Sequence, residues 1–357
     1  MADKQQAPLQ KNADTTQLDK LTRQQLRELE TKEMTQAQKV MEFIIMCLPL
    51  VCGLVAILEY QLIPDNSMNR NPATYLVALI LFILMYVLYG AYAGFKRWKG
   101  DKTVYDRLRH KAPLFSALFL LLAFYDYLTL KTGVLTQPFV PCMNFVLNAA
   151  WNDRAMIWDC TLHTLWLLFL GYFSGVSLGL ITGITCGYSR KVNYWIDPIL
   201  KFMGPIPIST WIPIIAVLSA SLSGGALFII VVGVWTAVTN ASRAGVANVD
   251  KAYFDAAKIL GASETQLIFR VAIPAAMPNI MAGMTQGMMT ACTAIMVAEM
   301  MGVKGGLGWY ITWVKSWALY NNMFASLFII CLIFTLVTKA LNAVKTRVLR
   351  WQIGVTK

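Results

Sequence analysis

Residues 249–310 read VDKAYFDAAKILGASETQLIFRVAIPAAMPNIMAGMTQGMMTACTAIMVAEMMGVKGGLGWY. The first third is polar and helix-forming; the rest is apolar. Asp255, Ala256 and Ala257 are followed by Gly261 four residues later, then by Val271-Ala272-Ile273-Pro274 ten residues further on. Alanine is the best helix former and leaves a small contact face. Gly261, just after Lys258-Ile259-Leu260, predicts a left-handed C-cap that turns the chain. A second amphipathic segment, Glu264 to Phe269, leads to Pro274, which suits the first turn of the next helix. Such a knuckle fits a groove on a partner. The competing reading is a plain connector between two membrane spans. The full spacing, set between two long apolar runs, favours the partner contact.

Composition places the chain in a membrane. It is 57% hydrophobic with mean hydropathy +0.53, and 14% of its residues are charged, against about 25% in a soluble domain. The net charge is +12, with basic residues clustered between apolar runs. That pattern marks cytoplasmic loops and anionic lipid. No basic groove with interleaved aromatics occurs, so nucleic acid is not an expected partner. Of the seven cysteines, five lie in apolar runs and none forms a C-x-x-C pair. No metal-ligand spacing is present, and the polar first forty residues argue against a cleaved signal peptide.

Outward from the opening stretch, apolar runs divide the chain. Residues 1–41 form a polar tail, in which Leu18, Leu21, Leu26 and Leu29 share one face; a surface helix and a solvated tail are equally open readings. Two runs, 43–64 and 74–95, precede a basic loop from Lys96 to Lys111. The third run, Pro113 to Leu130, contains Asp126, read as reaching the interface near a span end, or, if deeper, as a functional residue. The fourth, Cys160 to Tyr188, carries Gly171, Gly175, Gly179, Gly183 and Gly187, a strip on which another helix backbone can pack closely. Pro205, Pro207 and Pro213 then predict a kinked or broken helix. Irregular backbone at membrane depth survives against protein or water, so this break either lines a path or serves packing alone. Runs five and six are Ile206–Leu222 and Gly225–Thr239. Run seven, Val271 to Met301, bears a small-residue strip at Gly283, Gly287 and Ala291. It also bears a polar face of Gln286, Thr290 and Thr293, which points to protein or water, or forms a helix–helix hydrogen-bond set. Run eight is Asn322–Thr338. Eight spans with both termini cytoplasmic put the basic segments inside. Cys142 and Cys160, in or beside a long external segment, are open either to a disulfide or to remaining as two thiols; the thiols are favoured.

Several motifs carry a family resemblance. Asp255 to Pro274 resembles the EAA loop of ATP-binding-cassette importer permeases, E-A-A, three residues, G, nine residues, I-x-L-P, with Asp for the first Glu and with Val271 and Ile273 for Ile and Leu. Pro138-Phe139-Val140-Pro141 resembles the "LPSP" stretch after the first core span. Asp197-Pro198-Ile199-Leu200 with Gly204-Pro205-Ile206-Pro207 and Trp211-Ile212-Pro213 resembles "DPLL…RPIPPLAWIP". Val297-Ala298-Glu299-Met300 with Gly305-Gly306-Leu307-Gly308 resembles "VAEM…GLG". All belong to the nitrate, sulfonate, taurine and bicarbonate branch.

The resemblance implies an all-α membrane protein of about eight transmembrane helices, in a bacterial inner membrane. Two extra N-terminal spans in residues 42–112 would precede a six-helix type I permease core in residues 113–357, with the cytoplasmic coupling loop at 243–270. It implies coupling of the ATPase through Asp255, Ala256, Ala257, Gly261 and Pro274. The expected translocation path is lined by Pro205, Pro207, Trp211, Gln286, Thr290, Thr293 and Glu299. Implied partners are cytoplasmic ATPase subunits, an external solute-binding protein, and a second permease subunit, expected as a homodimer in lipid. The chain has no G-x-x-x-x-G-K-[ST], so ATP-Mg is expected on the ATPase, with no cofactor, metal or catalytic residue here. The implied solute is a small anion such as nitrate, a sulfonate, taurine or bicarbonate; a vitamin or its precursor, or a carrier not driven by ATP, is the alternative. A membrane-embedded enzyme would need intramembrane acid, base or metal ligands, and runs four to seven offer almost none before Glu299.

Overall fold

The computed structural model describes residues 36–66, 69, 71–100, 103–135, 137–219 and 221–351. The leucine-bearing helix expected within residues 15–34 lies outside them. Among the described residues the chain is helical throughout, without strands.

Contacts divide the chain into two compact units. The first holds α1 (Gln36–Leu62), nearly all of α2 (Ala73–Trp98) and α3 (Thr103–Asp126), which runs on into a π-helical turn, Tyr127–Lys131. Here α1 packs on α3, and Tyr86, Ala93 and Leu108 form a small core. The third apolar run therefore groups with the two N-terminal spans. Asp126 is not at an interface as the sequence suggested, but fully buried.

The second unit holds α4 (Met143–Asn152), α5 (Arg154–Tyr188), α6 (Arg190–Met203), α7 (Ile208–Leu218), α8 (Leu222–Ala247), α9 (Lys251–Ile259), α10 (Ile273–Met300), α11 (Leu307–Ser316) and α12 (Tyr320–Val348). The helix α8 is its axis. The five glycines of α5 face it at matched spacing. A β-carbon on Gly171, Gly175, Gly179, Gly183 or Gly187 would meet Ile230, Val234, Val238, Ser242 or Val246 respectively, at 2.6 to 2.7 Å. Partners four residues apart answer glycines four residues apart, so the two backbones run in contact over four turns. In lipid, apolar surface gains little by leaving its solvent, so such van der Waals contact largely decides association. The other face of α8 takes the small strip of α10: a β-carbon on Gly287 would approach Val234 and Val238 at 3.2 and 3.3 Å. Leu168, Tyr172, Ile230, Val234, Met288 and Ile295 fill the core between the three helices.

Among the described residues seven helices are long and apolar enough to cross a membrane: α1, α2, α3 with its π turn, α5, α8, α10 with its lead-in from Glu264, and α12. The run expected as a further span, Ile206–Leu222, forms only the 11-residue α7, about 16 Å long, roughly half a bilayer core. A β-carbon on Gly233 would meet Ile208, and one on Gly225 would meet Ile215, so α7 runs antiparallel along the first half of α8. The preceding α6 meets the other end of α8, where Arg243 donates to Asp197. The chain thus returns along α8 through two short helices with a break at residues 204–207. Pro205 and Pro207 supply the reason, since neither has an N–H to continue a helix.

Candidate functional site

The loop after α8 folds as its spacing predicts. Asp250 caps α9 by accepting from the Ala252 N–H at 3.0 Å. Gly261 closes it at φ +81. The Ala262 N–H donates to Ala257 O at 3.0 Å and the Gly261 N–H to Lys258 O at 2.9 Å, the paired bonds of a Schellman cap. Helix α9 starts at Lys251 and so is longer than the Asp255–Leu260 core of the motif. Asp255 and Ala256 are exposed and Ala257 is half-buried, and α9 has no buried residue. Phe254 alone anchors it, packing toward Val246, Ala272 and Ala276, with its ring 6.2 Å from that of Tyr188. At the tip Ile259 and Leu260 are both 87% exposed. This apolar pair stands open on a loop between spans, and it was readable in Lys258-Ile259-Leu260-Gly261.

Ser263 and Gln266 form a capping box that starts the next helix. A π-helical turn, Leu267–Ala272, then feeds α10, where Pro274 is in the first turn. The sequence predicted an amphipathic helix at Glu264–Phe269; the π turn is what it missed. Tyr188 donates to Glu264, tying the end of α5 to this lead-in. Asp197 sits between Lys201 and Arg243, and hydrogen bonds from the Lys201 ammonium and then the Arg243 guanidinium hold its carboxyl below the ordinary carboxylate range. The Arg243–Asp197 and Tyr188–Glu264 pairs carried no sequence signal, because their members lie 46 and 76 positions apart.

The candidate path residues separate into two places. Pro205 and Pro207 flank the break, and Trp211 lines a cavity of about 210 Å3 with Met203, Ile206, Phe228, Val232 and Thr236. Thr290 comes to the same stretch of α8: a β-carbon on Gly233 would meet Ile208 on one side and the Thr290 methyl at 3.0 Å on the other. Gln286 and Thr293 are exposed on α10. The hydroxyls of Thr290 and Thr293 donate to the carbonyls of Gln286 and Met289, both at 3.1 Å. No interhelical bond holds these hydroxyls among the described residues.

Glu299 lies elsewhere. It is 1% exposed and joins three helices. Its carboxylate accepts from the Thr164 hydroxyl at 2.8 Å and from the Gly308 N–H at 2.8 Å, while the Thr164 oxygen accepts from the Leu307 N–H at 2.8 Å. The end of α10 is thereby fastened to α5 and to the N-terminus of α11, whose dipole favours an anion. Gly306, at φ +99, leaves room that any side chain would take from Glu299. This accounts for acid and glycines occurring together. Glu299→Ala would leave the Gly308 N–H unpaired, at about 1–3 kcal/mol, and is expected to lower the thermal midpoint of the purified protein. An unchanged midpoint would refute the fastening. Cys142 and Cys160 are both buried.

A polytopic α-helical protein with a broken crossing and an exposed apolar knuckle between spans has the parts of a membrane permease. Residues 175–351 match the family described as the binding-protein-dependent transport system inner membrane component. That stretch is just under half of the chain. It is similar to the bicarbonate transport system permease protein CmpB of Synechococcus elongatus, 28% identical over 126 residues, which are 35% of this chain and 45% of that protein. It is also similar to the nitrate import permease protein NrtB of Leptolyngbya laminosa, 26% identical over 222 residues, 58% of this chain and 68% of that one. The match thus spans under half of the bicarbonate permease's own length. Among solved structures, a chain of an amino acid ABC transporter crystallised with histidines aligns with TM-score 0.48 at 17% identity, over 57% of this chain and 97% of that chain.

Proposed function

We propose that this chain is the permease subunit of an ATP-driven, binding-protein-dependent importer for a small anion. The observation that carries this reading is α9: a capped, exposed helix on a loop between spans, with Ile259 and Leu260 uncovered at its tip. A cytoplasmic ATPase would receive it, with ATP-Mg bound there and hydrolysis occurring there. Asp255, Ala256, Ala257, Gly261 and Pro274 set the shape and angle of the contact. An external binding protein would deliver the solute, and a second copy of the chain would complete the path. The anion assignment rests on the two relatives named for bicarbonate and nitrate transport. The compact unit from residue 133 onward would be the permease core, and the three N-terminal helices α1, α2 and α3, which group apart from it, the addition. Positive loops put the α9 side and both termini in the cytoplasm.

Purification of the tagged chain from its native membrane tests the assembly: an ATPase of the ATP-binding-cassette type is expected to come with it. Its absence under conditions that retain the second permease copy would remove the reading. Orientation is checked by cysteine labelling in intact cells, expected at Phe139 but not at Glu264; labelling of Glu264 from outside would reverse it.

The break at 204–207, Trp211 and Thr290 would line the translocation path with Gln286 and Thr293, while Glu299 would hold its outer framework. Thr290→Phe puts a ring where its methyl already lies beside Gly233 and Ile208. Uptake is expected to fall at least about tenfold, a barrier of about 1.4 kcal/mol, with the complex still assembled. Normal uptake by that variant would take Thr290 out of the path.

A further inference from the structure

The first unit, none of which falls within the family match, buries a pair of acids. Glu59 lies near the end of α1 and Asp126 is the last residue of α3. Asp126 is 0% exposed. Neither of its carboxylate oxygens has a hydrogen-bond partner, and neither has either oxygen of Glu59. Glu59 lies within electrostatic reach of Asp126, and among the described residues the other charged groups acting on both are Lys131 and Asp65.

Lys131 does not neutralise the pair. Its ammonium donates to Tyr60 O and Ile63 O, both at 2.7 Å, and to Asp65 at 2.6 Å, and lies over the Tyr60 ring at 5.0 Å. Its three protons are thereby taken, so it donates no hydrogen bond to either acid, and its charge is shared among Asp65, Glu59 and Asp126. The π-helical turn explains how Lys131 comes to this end of α1. A π-helix closes i to i+5, as the Thr132 N–H to Tyr127 O bond at 2.9 Å shows, so Lys131 stacks over Asp126 instead of being carried round the helix. Among the described residues three acids face one lysine, and the four carboxylate oxygens of Glu59 and Asp126 have no hydrogen bond to offset their burial. An uncompensated carboxylate away from water costs several kcal/mol, and such a group neutralises instead.

We propose that Glu59 and Asp126 form a proton-binding site, a carboxyl pair whose bound hydrogen ion joins α1 to α3. Each protonation takes H+ from hydronium and returns water. The partly exposed Asp65 carboxylate, beside the pair at the loop end of α1, gives the route from solvent. A proton satisfies the orphaned oxygens by an O–H···O bond between the two groups. Its loss sets two like charges against each other between two packed helices, so the packing of α1 on α3 loosens as pH rises. This site does not depend on the importer reading and would stand if that reading failed.

Infrared difference spectra of the purified full chain, recorded through a pH titration, decide it. The wild type is expected to show the carbonyl stretch of a neutral carboxylic acid at pH 7. The band should disappear in Asp126→Asn and weaken or disappear in Glu59→Gln, amides that keep the neutral shape and are expected to fold. The thermal midpoint should fall with rising pH in the wild type and lose that dependence in Asp126→Asn. A band unaltered by both substitutions would overturn the proposal. So would a band abolished by sodium at constant pH, which would make the site one for a metal cation.

Discussion

Gly183→Leu is expected to abolish accumulation of folded protein. A β-carbon at Gly183 would lie 2.8 Å from the carbonyl oxygen and 3.0 Å from the α-carbon of Thr239, as well as 2.7 Å from the Ser242 β-carbon. Two of these three atoms are backbone and cannot swing aside. Overpacking by a few methylenes costs about 1–3 kcal/mol even in cores that adjust. Here α5 would have to leave α8 along a strip of four turns, against a total stability of roughly 5–15 kcal/mol. Size-exclusion profiles of the detergent-extracted, fluorescently tagged protein measure this. Gly183→Leu should give aggregate or no peak, and Gly183→Ala a reduced one. Gly94 is the control, since a β-carbon there meets nothing within 4 Å. Gly94→Ala should be neutral, or stabilising by about 1 kcal/mol, as for glycine to alanine in a helix. A monodisperse wild-type yield of Gly183→Leu would show that the glycine strip does not determine the packing.

The second large effect is expected at the α9 knuckle, and there folding should survive. Gly261 has open space around its β-carbon position, so a side chain meets no atom of its own chain. The cost is in the backbone: at φ +81 an L-residue loses about 1–2 kcal/mol, and a β-branched one is a true outlier. Gly261→Val should therefore open the Schellman cap and re-aim α9. Ala256→Glu puts a charge on an exposed, small face; it is harmless in the free chain and costly when buried unpaired against a partner. Both variants should give wild-type size-exclusion profiles, yet lose the co-purifying ATPase and its transport-stimulated hydrolysis by at least about tenfold, or 1.4 kcal/mol of contact. If both retain the ATPase and full stimulated hydrolysis, the knuckle is a connector only.

These two glycines show how the information divides. A reading of local sequence reached Gly261, because a helix ending before a glycine leaves few other choices of backbone. It also reached the strip from Gly171 to Gly187, because fourfold spacing is visible in one dimension. It could not name the partner of that strip. Ile230, Val234, Val238, Ser242 and Val246 are ordinary membrane-helix residues until α8 is laid against α5.

The proline-rich stretch shows the same limit differently. Pro205 and Pro207 made a break predictable, and the apolar run from Ile206 suggested a whole span. The run is long enough in composition, but the helix it forms covers about half a bilayer, and α6 before it is a charged, amphipathic helix that meets the other end of α8. How much of a crossing each piece makes depends on which end of α8 it meets, and that is a tertiary fact.

Charge readings diverged most. The spacing of acid and glycines from Val297 to Gly308 was visible, but not the tie from Glu299 to Thr164, 135 positions away, which donates to it. Asp126 was read as an interfacial acid, because one acid near a span end has an inexpensive route to water. Its burial is decided by α1 packing over it, and by a π turn that brings Lys131 round to Tyr60, Ile63 and Asp65. By itself the sequence determined the all-helical membrane class, the knuckle and its cap, and the position of the break, since each follows from local backbone chemistry or from periodicity along one helix. Only the tertiary structure decided which helix fills each small-residue strip, which end of α8 each short helix meets, and which buried charges are compensated. Burial and pairing are properties of neighbours that the chain brings together from far apart, and local periodicity carries no record of them.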